Sequence, residues 1–333
     1  MNRGLWIGLV LAGAPFFLQN ASSPNIVTDA PRILAATSHV KFEVPMFGSV
    51  GKTACDASGR MYFNVGAQIG QMGPFLGISA DGRSHAVYAL PSQLSAFADL
   101  AWAVTPGGTF YVLRGNSKGH SLVRFRDDGS VDSISSVDIP GRTSLRFFAI
   151  TDRGALYVQG YHIAQDPLKE PSRSFAGLFD ASGKLVRDLS DRAPHVDLAA
   201  AQFGPIDGDV AAGEDGQFYL LDTKRVIVLN AAGEVEKELA FEIPSEDARA
   251  VRVDYSKGNV SIIFHSVHRI SPSEPANVTV RALILNAQTG EPRGRFAFDP
   301  NTTGSVLCFD AQEGYSLMAV DGKMAAKDVV AIR

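Results

Sequence analysis

The residues of this sequence best suited to chemistry are four histidines, two cysteines and a set of charged side chains alternating in sign. His162, His195, His265 and His268 fall in the long segments between apolar runs. Histidine binds metals through its neutral ring and moves protons near neutral pH. The pair His265-x-x-His268 is the closest spaced. On a strand, however, residues three apart face opposite ways, and no run of carboxylates completes a site around them. Surface or packing histidines are the plain alternative, and no metal site or cofactor is expected. Motifs of the His-Glu-x-x-His and P-loop kinds do not occur, and no nucleophile elbow is expected.

The charged set is Lys52, Asp99, Arg146, Asp207 with Asp209, and Arg249 with Arg252. Two readings stand side by side. The charges neutralise one another at a partly buried mouth, or they line a polar pocket for a small charged ligand. Basic residues among them disfavour a bound divalent cation.

These residues need elements to position them. From residue 38 onward, short runs rich in Val, Ile, Leu, Phe and Tyr are broken about every ten residues by Asp, Asn and Gly, the mark of strands joined by turns. No amphipathic helix of ordinary length is evident, and residues 193–203 suggest one helical turn or two. A two-part unit recurs. Its first half is an apolar strand, a tight turn and an aromatic strand, and Gly59, Gly108, Gly154 and Gly216 each precede Tyr62, Tyr111, Tyr157 and Tyr219 by three residues. Fainter copies turn at Gly258 and Gly314. The second half turns at Gly82, Gly129, Gly183, Gly233 and Gly290.

First-half glycines spaced 42–62 residues apart match four-stranded propeller blades of roughly 40–50 residues, with insertions in the longer gaps. The expected fold is therefore all-β, a six-bladed β-propeller over residues 38–333. Too few residues follow Gly314 for three strands. The segment His39 to Val44 alternates apolar and polar, and it is expected to complete the C-terminal blade and close the ring. The repeat resembles that of the NHL-repeat and TolB-like propellers, where an apolar strand, an Asp-x-x-Gly turn and an aromatic strand open each blade. That resemblance implies a fold and no particular activity.

In such a blade the tight turns share one face. The long insertions at residues 160–174, 189–205 and 264–277 share the other, where binding tends to reside. The charged set falls at the starts of the innermost strands, on the insertion face. Cys55 and Cys308 end innermost strands of blades that become neighbours on closure. A disulfide would staple them, although their registers differ by one residue, which turns the side chains to opposite sheet faces.

Arg3 followed by an apolar stretch at residues 4–18, then small and polar residues, reads as a signal peptide over residues 1–23. Residues 24–37 would be a linker. The stretch is short for a span of about 20 residues, and Gln19 before Ala21 leaves an uncleaved anchor as the alternative. Secretion or a periplasmic location follows. With 31 basic against 35 acidic residues and no basic cluster, nucleic acid is not an expected partner. The expected protein is a monomer without a membrane span once the signal is removed. Its partner is a small molecule or protein, and its role is binding or protein interaction through the insertion face. A lactonase-like hydrolase or lyase at the channel mouth is the alternative, and the sequence leaves catalysis undecided.

Overall fold

The computed structural model describes residues 30–45, 50–65, 74–92, 100–116, 119–164, 173–191, 208–268, 277–299, 305–312, 314–321 and 324–330. The chain divides into two units, Met1–Ala30 and Pro31–Arg333, and all the strands described belong to the second. The expected signal peptide and the helical turn at residues 193–203 lie outside the described residues.

Among the described residues there is no α-helix. Two strands come first, β1 (Arg32–Leu34) and β2 (Ala36–Pro45). The next sheet is a meander of β3 (Val50–Cys55), β4 (Met61–Val65), β5 (Phe75–Ile78) and β6 (His85–Tyr88). It is followed by β7 (Leu100–Val104), β8 (Phe110–Asn116), β9 (Gly119–Phe125) and β10 (Val131–Val137). A further sheet holds β11 (Thr143–Ile150), β12 (Leu156–His162), β13 (Arg173–Phe179) and β14 (Leu185–Asp188). Then come β15 (Asp209–Ala212), β16 (Phe218–Leu221), β17 (Arg225–Leu229) and β18 (Val235–Ala240). Strands β19 (Ala248–Ser256), β20 (Asn259–His268), β21 (Asn277–Asn286) and β22 (Pro292–Phe298) make the next sheet, and β1 adds to it in parallel with β22. The last sheet contains β23 (Ser305–Asp310), β24 (Gly314–Asp321) and β25 (Met324–Val330), with β2 antiparallel to β25. The architecture is that of an all-β propeller.

Burial follows from this stacking of sheets. The second strand of a sheet has neighbours on both faces, so its sequence is a continuous apolar run, as in Phe218–Leu221, buried throughout. The outer strands meet solvent and alternate, as in His85–Tyr88. Apolar clusters lie between successive sheets. Tyr62, Tyr88, Trp102 and Phe110 join the first meander to the second, and Met61, Phe63 and Ile78 meet Leu307 and Cys308 of the last sheet. The repeated tyrosines Tyr62, Tyr157 and Tyr219 are all but fully buried, whereas Tyr111 is half-buried.

Each turn glycine that the repeat singles out has positive φ, a conformation that costs other residues energy. Two of them do a second job. A Cβ on Gly129 would run into the Val87 carbonyl oxygen, and one on Gly183 into that of Ser136. These two turns thus seat on the outer strand of the preceding sheet, and beside Ser136 the Asp138 amide also donates to Gly183 O at 2.8 Å.

Two expectations need correction. The stretch read as a linker contains β1 and the beginning of β2, because Leu34 packs beside Phe296, Phe298 and Tyr315. Strands also run further than expected into two insertions. His162 pairs with Arg173 at the end of β12, and His268 with Asn277 at the end of β20. Backbone pairing continues through these histidines, which leaves shorter connections at 163–172 and 269–276.

Cys55 and Cys308 form a disulfide with their Cα atoms 5.4 Å apart. The register offset, which looked adverse, is what permits it. Equivalent residues of two sheets point in the same rotational sense, so a bridge between neighbours needs one residue on each facing side. Phe309 packs toward the preceding sheet, whereas Cys308 packs toward the sheet of Cys55. Alkylation of unreduced protein is expected to add no mass. The double substitution C55S/C308S is expected to lower stability by about 2–4 kcal/mol in denaturant titration; an unchanged midpoint would deny the bridge any stabilising role.

Candidate functional site

Four of the six innermost strands share an irregularity. β3 shifts register between Val50 and Thr53, β11 between Leu145 and Phe147, β19 between Ala250 and Arg252, and β23 between Val306 and Cys308. A bulge leaves one residue outside the ladder and re-aims the side chains around it. In β23 that residue is Leu307, so its carbonyl is open to another donor.

Arg252 takes it. Its Nη2 donates to Leu307 O at 2.7 Å and to Asp254 Oδ1 at 2.8 Å. Its Nη1 donates to Val306 O and Thr53 Oγ1, both at 2.7 Å, and Nε lies 2.8 Å from Asp254 Oδ2. The Thr53 hydroxyl in turn donates to Val306 O at 2.8 Å. One side chain of β19 therefore ties β23 and β3 together, beside the disulfide. Asp209 adds a further link, its Oδ2 accepting the Val253 amide at 3.1 Å.

A cavity of about 100 Å³ adjoins this network. Thr53, Ala103, Phe148, Asp209, Arg252 and Asp310, one from each innermost strand, are among its lining residues. It lies toward the tight turns, since Asp56, Ala57, Pro106 and Glu214 also line it. The sequence placed the mouth at the other end.

Of the predicted mouth residues with described side chains, Asp209 and Arg252 line this cavity, and Arg146 and Arg249 do not. Arg146 belongs to β11, with Nη2 donating to Tyr161 Oη at 2.9 Å and the guanidinium carbon 5.2 Å from the Tyr161 ring centre. Arg249 is exposed on β19. Lys52 is in β3 without a described side chain, and Asp99 and Asp207 lie outside the described residues.

Among the described side chains, His162 and His265 are held in separate sheets. His162 Nδ1 is 2.9 Å from Thr143 Oγ1. Because that hydroxyl donates to Pro140 O, the ring nitrogen is the donor and Nδ1 carries the proton. The ring packs on Phe175 at 4.9 Å. His265, on β20, pairs with Arg249 and Val280. Burial lowers the pKa of both His162 and His265. His268 ends β20 without a described side chain, and His195 lies outside the described residues. Sequence reasoning missed Asp254 and Thr53, although Arg252-x-Asp254 on a strand is a same-face spacing that alternation offers. No signal in the sequence announced Thr53 as a partner 199 residues away.

The fold and this internal network define a β-propeller whose innermost strands are cross-linked by one arginine. No protein-family model matches the chain, and no curated protein sequence matches it. Among solved structures it is similar to a gluconolactonase from Xanthomonas campestris, with 14% identity over 90% of this chain and 99% of that one and a TM-score of 0.48. It is also similar to a WD40 domain from Neurospora crassa, with 12% identity, 92% and 98% coverage and a TM-score of 0.47. A Bacteroides caccae protein of unknown function shares 12% identity over 77% and 83%, at a TM-score of 0.46.

Removing Arg252 should leave Asp254 as an unpaired charge. R252A is expected to destabilise by about 3–5 kcal/mol and R252A/D254A by less, because a stranded charge is worse than a removed pair; equal losses in denaturant titration would contradict the network. Histidines with lowered pKa stay neutral when folded and take up protons on unfolding, so stability is lost as pH falls below their unfolded value of about 6.5. The midpoint temperature is expected to drop as pH falls from 7 toward 5, and H162N/H265N to flatten that slope.

Proposed function

We propose that this propeller is an exported binding or protein-interaction module, a ring of six blades of the NHL-repeat and TolB-like kind. In this reading β2 and β25 close the ring within one blade, and recognition uses the face opposite the tight turns. The observation that carries it is the occupation of the channel by its own side chains. Arg252, Asp254 and Thr53 bind one another there, and the cavity beside them is about 100 Å³. Small-molecule sites commonly measure about 300–1,000 Å³. A channel that holds sheets together leaves the outer faces for recognition.

A second observation favours protein contact. Val267 and Val278 are cross-strand partners at the far end of β20 and β21, and both are exposed, at 52% and 47%. Exposed apolar side chains that meet across a strand pair form the kind of small patch on which a partner gains area.

The test uses the full chain in its own host. The exported protein is expected to lack roughly its first 23 residues by intact mass, in keeping with signal removal. In-cell cross-linking is expected to recover a defined partner with the native protein and to lose it with V267E/V278E at unchanged melting temperature. An unchanged set of cross-links would refute the interaction reading. Turnover of a lactone by purified protein, abolished by a chelator, would replace it with the lactonase-like one.

A further inference from the structure

We propose that Arg146, held by Tyr161, is the seat of a binding site for a small organic carboxylate. The inference deepens the preceding reading by naming a ligand class, and it rests on the use of the same face.

Arg146 is the extra residue of the β11 bulge, because Leu145 pairs with Gly160 and Phe147 with Gln159. It therefore escapes the alternation that fixes its neighbours. The bulge lies at the end of β11 away from the tight turn that follows Ile150. Tyr161 is near the end of β12, opposite Ser144. The neighbouring His162 points to the other sheet face by alternation, where Thr143 and Phe175 hold it.

Two arginines on bulged innermost strands invite comparison. Every nitrogen of Arg252 faces an oxygen of the protein. Among the described residues the guanidinium of Arg146 has one hydrogen bond, from Nη2 to Tyr161 Oη. Its Nε is buried and has no acceptor among the described residues. No described carboxylate lies within ion-pair distance of Arg146.

An arginine cannot shed its proton to escape burial. Its planar fork asks for an acceptor with two oxygens, and one guanidinium matches one negative charge. A carboxylate meets both conditions. The wall beside it is the aromatic ring of Tyr161. Tyr161 fixes the guanidinium in advance, which lowers the entropic penalty of binding. A carboxylate attached to an apolar or aromatic body fits these surroundings best.

The experiment titrates benzoate into the full chain at constant ionic strength and follows the melting temperature and the Arg146 Nε–H resonance. A saturable rise in melting temperature with a shift of that resonance is expected. R146Q is expected to weaken benzoate at least about tenfold, the effect of losing a charge-assisted hydrogen bond. Y161F keeps the ring and removes the oxygen that holds Nη2, and is expected to weaken it several-fold while folding normally. A Phe-terminated tripeptide with free or amidated C-terminus separates the two sources of a carboxylate. Tighter binding of the free-ended peptide than benzoate assigns the site to a chain end, and the reverse assigns it to a free acid.

Three results would overturn the proposal: no saturable response to benzoate, an undiminished response in R146Q and Y161F, or an equal response to inorganic phosphate. Failure here with cross-links still lost in V267E/V278E would leave the interaction reading intact. Benzoate binding with unchanged cross-links would do the reverse.

Discussion

The structure depends on how its last sheet meets its first. Stacked sheets with apolar faces gain stability only where each face has a neighbour, so the two end sheets are a liability until they cover one another. Here Met61, Phe63 and Ile78 of the first meander pack on Leu307 and Cys308 of the last sheet. Three different forces reinforce that contact. The disulfide is covalent, the Arg252 network is polar and charged, and β2 brings the N-terminal part of the chain into the sheet of β23–β25. The strand β1, one residue before β2, pairs with the neighbouring sheet and so anchors the same segment twice.

Chemistry is distributed in accordance with that constraint. Charged groups near the tight-turn end of the innermost strands are engaged in cohesion, with Arg252 saturated by Asp254, Thr53 and two main-chain carbonyls. Toward the other end Arg146, resting on its tyrosine, is less committed. The difference arises from a neighbouring backbone and not from residue type. The β23 bulge opens a carbonyl where Arg252 can reach it, whereas Arg146 has Tyr161 and aromatic carbon beside it. Identical side chains thereby acquire opposite roles.

Much of the fold was legible. The glycine spacing located the turns, and every one of those glycines adopts positive φ. The shortage of strands after Gly314 pointed to a strand from the N-terminal side, and Val40 pairs with Lys327 as that reasoning requires. The candidate site was far less legible. Alternation along a strand tells which residues share a face, but one bulged residue reverses it, and four innermost strands contain such a shift. That is why Arg252 looked like a mouth residue, and why Asp254 beside it was overlooked. His265 and His268 looked like loop residues because polar neighbours such as Ser266 hid the continuing strand.

The sequence by itself determined the local matters: where strands begin and turn, which turns need glycine, which strands are buried on both faces, and that two cysteines end innermost strands. These follow from short-range sterics and from the period of two, which a linear string records. Tertiary structure decided which charge meets which partner, because Arg252 and Thr53 are 199 residues apart and their meeting depends on how successive sheets rotate around a common axis. It also decided the disulfide. A one-residue offset reads as a mismatch along the chain, but between two sheets facing one another it places both sulfur atoms on the shared side.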